Sequence, residues 1–219
     1  MRLHLVRAST FAKGFSLAEQ GPEIGAPYAD GEPMTTLLPP DAIDAPAWTI
    51  RPEQPIDLDQ IHELHRAAFA GPAEAELVDT IRSGAHFIPE LSLVAVTGDG
   101  SVLGHVLISR IELQPSRDGA ARIPVLALAP IAVLPAHQGR GIGTELMQEV
   151  LQRADMLEEP FTVVLGSPPF YARFGFDPAL PLGLTGPYDA ADEAFRVRPR
   201  PGAEITPGTV VYPPAFSEV

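Results

Sequence analysis

Cysteine is absent from all 219 residues, which excludes disulfides, a cysteine zinc site and any covalent intermediate carried on a thiol. Lysine stops at Lys13, so no phosphate-binding loop of the Gly-Lys-Ser/Thr kind can form beyond it. Positive charge is scarce as well. Fifteen Lys and Arg stand against 28 Asp and Glu, a net charge of -13, and nothing here neutralises a run of phosphates. A nucleic-acid partner is therefore not expected. No apolar run approaches the ~20 residues of a membrane span, so no membrane partner is expected either. A cysteine-free, acidic chain of this length fits one domain with a full core and a cytoplasmic location.

What is present is a strand-like run, Ile131-Ala132-Val133, that leads through Leu134-Pro135-Ala136-His137 into Gln138-Gly139-Arg140-Gly141-Ile142-Gly143-Thr144 and an amphipathic helix. Glycines at 139, 141 and 143 permit close approach of a ligand and backbone conformations barred to other residues. Backbone N–H groups at the positive end of the following helix suit a phosphate. A dinucleotide fingerprint would need glycine where Thr144 stands. It would also need an acid closing a second parallel strand, whereas Glu158 and Glu159 precede the next strand. A glycine-rich connection that merely starts a helix is the plain alternative.

Two motifs in sequence decide between them. Gln138-x-x-Gly141-x-Gly143 resembles the pyrophosphate loop of the GNAT N-acetyltransferase superfamily. One helix and one strand later, Phe170-Tyr171-Ala172-Arg173-Phe174-Gly175-Phe176 is similar to the Phe-Tyr-x-x-x-Gly-Phe segment common in that family. Ala129 to Val133 and the stretches 192–195 and 212–216 resemble the YhbS-like group within it. The resemblance spans about residues 48 to 216. It implies a mixed, mostly antiparallel central sheet flanked by helices in an α/β/α arrangement, and acetyl-CoA as cosubstrate without a metal. It also implies cofactor contacts from Ile131, Ala132, Val133, Gln138, Gly139, Arg140, Gly141, Ile142, Gly143, Thr144 and Tyr171.

Residues 1–47 differ from the rest. Pro22, Pro27, Pro33, Pro39, Pro40 and Pro46 break every periodicity, which reads as a flexible arm ahead of an acetyltransferase domain over 48–219. Arg2, Arg7 and Lys13 with no acid before Glu19 faintly suggest an organelle presequence; an unstructured extension is the preferred reading. Deleting 1–46 is expected to leave the acetyl-CoA dissociation constant within a few-fold, about 1 kcal/mol or less. Unfolding of the truncated protein, followed by circular dichroism, would show instead that the arm packs on the core.

From Trp48 onward the pattern is regular. Expected elements are a short strand at 48–52, a helix at 58–70 capped by Asp57, and a helix at 73–83. A hairpin at 91–97 and 102–113 turns on Gly98 to Ser101. A long strand at 123–133 follows, then a helix at 141–157 with Leu146, Met147, Val150, Leu151 and Ala154 on its apolar face. A buried strand at 161–166 and a closing pair near 193–198 and 209–212 complete the list. Helices interleaved with strands, and hairpins at the start, imply a mixed α/β layered sheet. His62-Glu63-Leu64-His65 lacks the four-residue spacing of a zinc-protease helix, and solvent-facing histidines are expected there.

Acetyl transfer to an amine needs a neutral nucleophile, an oxyanion donor and a proton for the leaving thiolate. The N–H near Ala132 or Val133 suits the second. Pro130, lacking an N–H, breaks or bulges the ladder; the resemblance implies that the strand splays there and takes the pantetheine arm along its edge at Ile131 and Val133, the alternative being an edge-strand proline that only blocks pairing. By motif Tyr171 supplies the third, its alternative being a packed core aromatic like its phenylalanine neighbours. Glu112 and His105 are candidate bases. Arg196, Arg198 and Arg200 share a strand face, where they contact an anionic acceptor or guard an edge. The acceptor is expected to be a small-molecule amine. A protein N-terminus or lysine, and a non-catalytic acyl-CoA-binding module, are the alternatives, and a homodimer is left open.

Overall fold

The computed structural model describes residues 48–69, 71–186 and 193–216. The expected arm over 1–47 lies outside them; the first helix, expected to reach 70, ends at Ala68, with Phe69 already extended. In chain order the strands are β1 (Thr49–Pro52), β2 (Ser92–Val96), β3 (Val102–Pro115), β4 (Ile123–Val133), β5 (Phe161–Leu165), β6 (Asp177–Pro178), β7 (Leu184–Thr185), β8 (Phe195–Pro199) and β9 (Gly208–Val211). The helices are α1 (Leu58–Ala68), α2 (Ala73–Ser83), α3 (Ile142–Ala154) and the single turn α4 (Pro168–Tyr171).

Among the described residues nine strands join one sheet in the order β1-β2-β3-β4-β5-β8-β6, with β9 against the far end of β3 and β7 against β9. Only β4–β5 and β7–β9 are parallel, so the sheet is mostly antiparallel. One face carries Val94, Leu107, Ala129 and Ala132 beneath the apolar stripes of α1 and α2, which contribute Ile61, Leu64, Val78 and Ile81. The other carries Leu93, Val106, Leu126 and Leu128 beneath Leu146, Met147 and Val150 of α3. The long strands alternate between these two helix layers, which is why they are apolar on both faces.

Three expectations need correction. The strands near 195 and 208 do not pair with each other: β8 lies on β5 and β9 lies on β3, because their partners are set by the sheet edges each can reach. Asp57 stands at the N-cap position just before α1, but its carboxylate does not cap the helix. It accepts a forked pair of bonds from Arg51 (2.6 and 2.9 Å) and the Gln54 N–H (2.7 Å), which fixes the turn before the helix. The arginines of β8 neither guard an edge nor face open solvent. Arg196 donates to the Phe176 carbonyl (3.0 and 2.7 Å), and Arg198 forks onto Asp155 at the end of α3 (2.6 and 2.7 Å).

Candidate active site

The central event is a parting of β4 from β5. Their parallel ladder holds only Leu126–Leu128 against Thr162–Val164, after which β4 runs on unpaired on that side. Beside Ala129-Pro130 the register against β3 slips by one residue, from Ile108↔Leu128 to Val106↔Ile131, as a residue without an N–H requires. The gap is a cleft walled by β4 from Leu128 to Val133, by Val164 to Ser167 with Phe170 and Tyr171, and by Ala68 and Phe69 from the end of α1.

Strand alternation fixes which backbone groups face the gap. Leu134 donates its N–H to the Leu103 carbonyl (2.9 Å), so residues 134 and 132 point toward β3 and residues 133 and 131 point away from it. The Val133 carbonyl then accepts the Gln138 side-chain amide (3.1 Å), leaving the Val133 N–H and both polar groups of Ile131 on the open edge. Of the two expected donors, Ala132 therefore has its N–H committed to the ladder, and only its methyl lines the cleft.

The loop after β4 makes a 3-10 turn at Pro135–His137 and enters α3 at Gly141. Gly139 (φ 76°) and Gly141 (φ 94°) take the left-handed conformation that favours glycine. Gly143 lies inside the helix without a positive φ, so its conformation does not demand glycine. Thr144 and Glu145 close the first turn on the Gly141 carbonyl, leaving the N–H groups of Ile142 and Gly143 ahead of the first intrahelical bond. Arg140 is exposed on the loop, while the Ile142 side chain is buried in the core.

Tyr171 reaches the cleft from α4. Its ring packs edge-on against Phe170 (5.0 Å) and Phe176 (5.8 Å) and so closely over Gly166 that a Cβ there would lie 2.3 Å from Cε2. Its hydroxyl makes no hydrogen bond among the described residues, and burial raises its pKa above the usual phenol value, so it keeps its proton. Ile131, Ala132, Val133, Gln138 and Tyr171 thus line one cavity beside the glycine loop. Glu112 does not join them. It pairs in register with Pro124 and Val211 at the other end of β3 and binds Arg122 (2.6 Å), nearly half exposed.

His105 is fully buried and belongs to a chain of polar groups beneath α1 that spacing alone did not reveal. Glu53, just past β1, accepts two bonds from Arg82 (2.6 and 3.1 Å) and one from the Ser92 hydroxyl (2.6 Å), with His105 Nε2 3.3 Å away. His105 Nδ1 meets His65 Nε2 at 2.8 Å. His65 is completely buried, contrary to the expected solvent face; it follows Ile61 by four residues and so shares its apolar stripe, the signal that could have placed it. His62 alone is partly exposed, bound to Asp79 (2.7 Å). No group of three or more His, Asp or Glu able to hold a metal occurs among the described residues. Glu74, in the first turn of α2, is also buried, with Oε1 lacking a partner among the described residues and its pKa raised by burial.

Burial alone would raise the Glu53 pKa, but the hydrogen bonds from His105, Arg82 and Ser92 outweigh it and hold it at about 2 against an ordinary 4.5. A carboxylate depressed in the folded state stabilises the fold above its unfolded pKa, and that stability is lost as pH falls toward the folded value. Glu53→Gln is expected to abolish about 3 kcal/mol of acid-dependent stability between roughly pH 4.5 and 2. Urea unfolding of both proteins against pH checks this, and superimposable curves would refute it.

Residues 49–179 match the acetyltransferase (GNAT) domain. The chain belongs to the GNAT acetyltransferase family. It is 33% identical over 148 residues to the uncharacterized N-acetyltransferase YhbS of Escherichia coli, covering 68% of this chain and 84% of that protein. It is 32% identical over 139 residues to YjhQ of the same organism, covering 63% and 74%. Among solved GNAT structures, E. coli YhbS in complex with CoA superposes with a TM-score of 0.66 at 28% identity, covering 78% of this chain and 92% of that one. A Brucella melitensis GNAT acetyltransferase in complex with acetyl-CoA gives 0.62 at 32% identity, covering 77% and 97%. As a GNAT protein the chain is an N-acetyltransferase, and the nine-stranded sheet is the GNAT fold.

Proposed function

We propose that this GNAT enzyme carries the acetyl group of acetyl-CoA directly to a primary amine of a small molecule. The observation that carries the reading is the open β4 edge beside a left-handed glycine loop, with an unbonded tyrosine hydroxyl across the gap. The pantetheine amides add to Ile131 and Val133 as a strand would, and the pyrophosphate lies on the N–H groups from Gly139 to Gly143, helped by Arg140; the Thr144 N–H is already spent on the Gly141 carbonyl. The amine nitrogen attacks the thioester carbonyl, and the Val133 N–H receives the developing oxyanion. As the C–S bond breaks, the Tyr171 hydroxyl gives its proton to the departing thiolate, the amine nitrogen gives one up as the amide forms, and solvent returns a proton to the tyrosine.

No cysteine exists to take the acetyl group first, which supports direct transfer. A cytoplasmic setting accords with that absence, and no helix of the described residues is long and apolar enough to cross a membrane. The test is free thiol released from acetyl-CoA across a panel of amines and peptides. Turnover confined to small amines is expected. Turnover confined to peptides would move the acceptor to a protein N-terminus or lysine, and binding without turnover would leave an acyl-CoA-binding module.

A further inference from the structure

The chain of polar groups beneath α1 has a direction that follows from donor and acceptor roles alone. Glu53, ionised, can only accept. The Ser92 hydroxyl spends its single proton on Glu53 Oε2, so toward His105 Nε2 (3.0 Å) it too can only accept. His105 must therefore carry its proton on Nε2, which leaves Nδ1 as a bare lone pair. That lone pair takes the proton of His65 Nε2, and His65 is left with an unprotonated Nδ1. Among the described residues this same atom is sealed from solvent and has no hydrogen-bond partner. A buried acceptor without a donor is destabilising, and a bound donor would recover the loss.

The place of this lone pair matters as much as its existence. His65 lies parallel to the ring of Phe69 (5.9 Å), and Phe69 forms the α1 wall of the cleft. His105 stands opposite Ala132 in the β3–β4 register, and the Ala132 methyl forms part of the facing wall. The pair of rings thus sits one side chain behind the surface against which an acceptor must rest.

We infer that the Glu53–His105–His65 chain presents the Nδ1 lone pair of His65 as proton acceptor for the attacking amine, reached through a bridging water past Phe69. The inference rests on the proposed acetyl transfer. When the amine nitrogen bonds to the thioester carbon it becomes a strongly acidic ammonium. One of its protons passes by the water to His65 Nδ1, giving an imidazolium whose Nε2–H still binds His105. Glu53 balances the charge, and the proton returns to solvent after the products leave. Burial holds the pKa of both rings below the ordinary histidine value, so both are neutral and available at neutral pH. The titratable and charged groups facing them are Glu53 after β1, Arg82 from α2, Asp57 before α1 and His62 on α1 itself; β4 brings none.

His65→Gln keeps an amide N–H where Nε2 donates to His105 and removes the lone pair. Acetyl-CoA affinity and thermal stability should stay near wild type while kcat with the best amine of the panel falls about 10²-fold. Wild-type kcat should be level from about pH 7 to 8.5, and the residual kcat should climb with pH as hydroxide takes over the proton. A uniform loss with an unchanged profile, or no loss, would overturn the relay alone. Wild type that releases no thiol with any acceptor would overturn the acetyl transfer and the relay with it. Should the variant fail to fold, long-range proton–nitrogen correlation on the wild type decides: a bare Nδ1 on His65 is expected, and a protonated one refutes the chain.

Discussion

Replacing Tyr171 by phenylalanine is expected to lower kcat about 10²-fold or more while the acetyl-CoA dissociation constant barely changes. The ring is held by Phe170, Phe176 and the bare backbone of Gly166, none of which involves the hydroxyl, so the variant keeps its packing. What disappears is one O–H that burial keeps protonated and that no described residue engages. An interaction present only as the thiolate departs shows in kcat and not in binding. Steady-state kinetics with the best acceptor, beside calorimetric titration with acetyl-CoA, separates the two. An equal loss of affinity would make the hydroxyl a positioning group for the sulfur. Full activity would leave the ring as packing.

The second large effect is expected at Gly141. A side chain added there meets nothing nearer than Glu145 Oε1 at 3.9 Å, so the free protein has room for it. Its φ of 94° is the obstacle, since a β-branched residue in the left-handed region costs of order 1–3 kcal/mol. Gly141→Val therefore either strains the loop or rearranges it, and in both cases the N–H groups that open α3 lose their common aim. Thermal stabilisation by CoA should vanish while the circular dichroism of the free protein changes little. Stabilisation of the wild type by NADH or ATP but not by CoA would overturn the cofactor assignment as a whole.

Local signals carried most of the fold. Strand β4 runs from Ile123 to Val133 and α2 from Ala73 to Ser83, as periodicity indicates, because each buries a face whose spacing is written in neighbouring residues. The partners of β8 and β9 were not legible, since pairing is decided by which edge is free after the rest of the sheet has formed. The same distinction divides the site. The glycine loop and Tyr171 are contiguous motifs that the cleft brings together. Glu112 looked eligible by residue type, yet the pairing of its strand with β9 puts it far from the cleft. Glu53, Ser92, His65 and His105 are scattered over 53 positions and meet only in three dimensions. His65 could have been suspected from its apolar stripe, but no spacing announces a carboxylate 52 residues away from its histidine.

The unpaired stretch of β4 bears also on what else could pair with it. A bare strand edge is a template on which other chains can add, and natural proteins blunt such edges. Here the open length lies between walls from α1 and α4, with Leu128 to Val133 almost wholly buried. A second polypeptide strand, with its own side chains, would have to push those walls apart. The proposed pantetheine arm, thin and carrying two amides, would not. The walls that shape the proposed site would thus also keep a bare strand edge from serving as a template for a second chain.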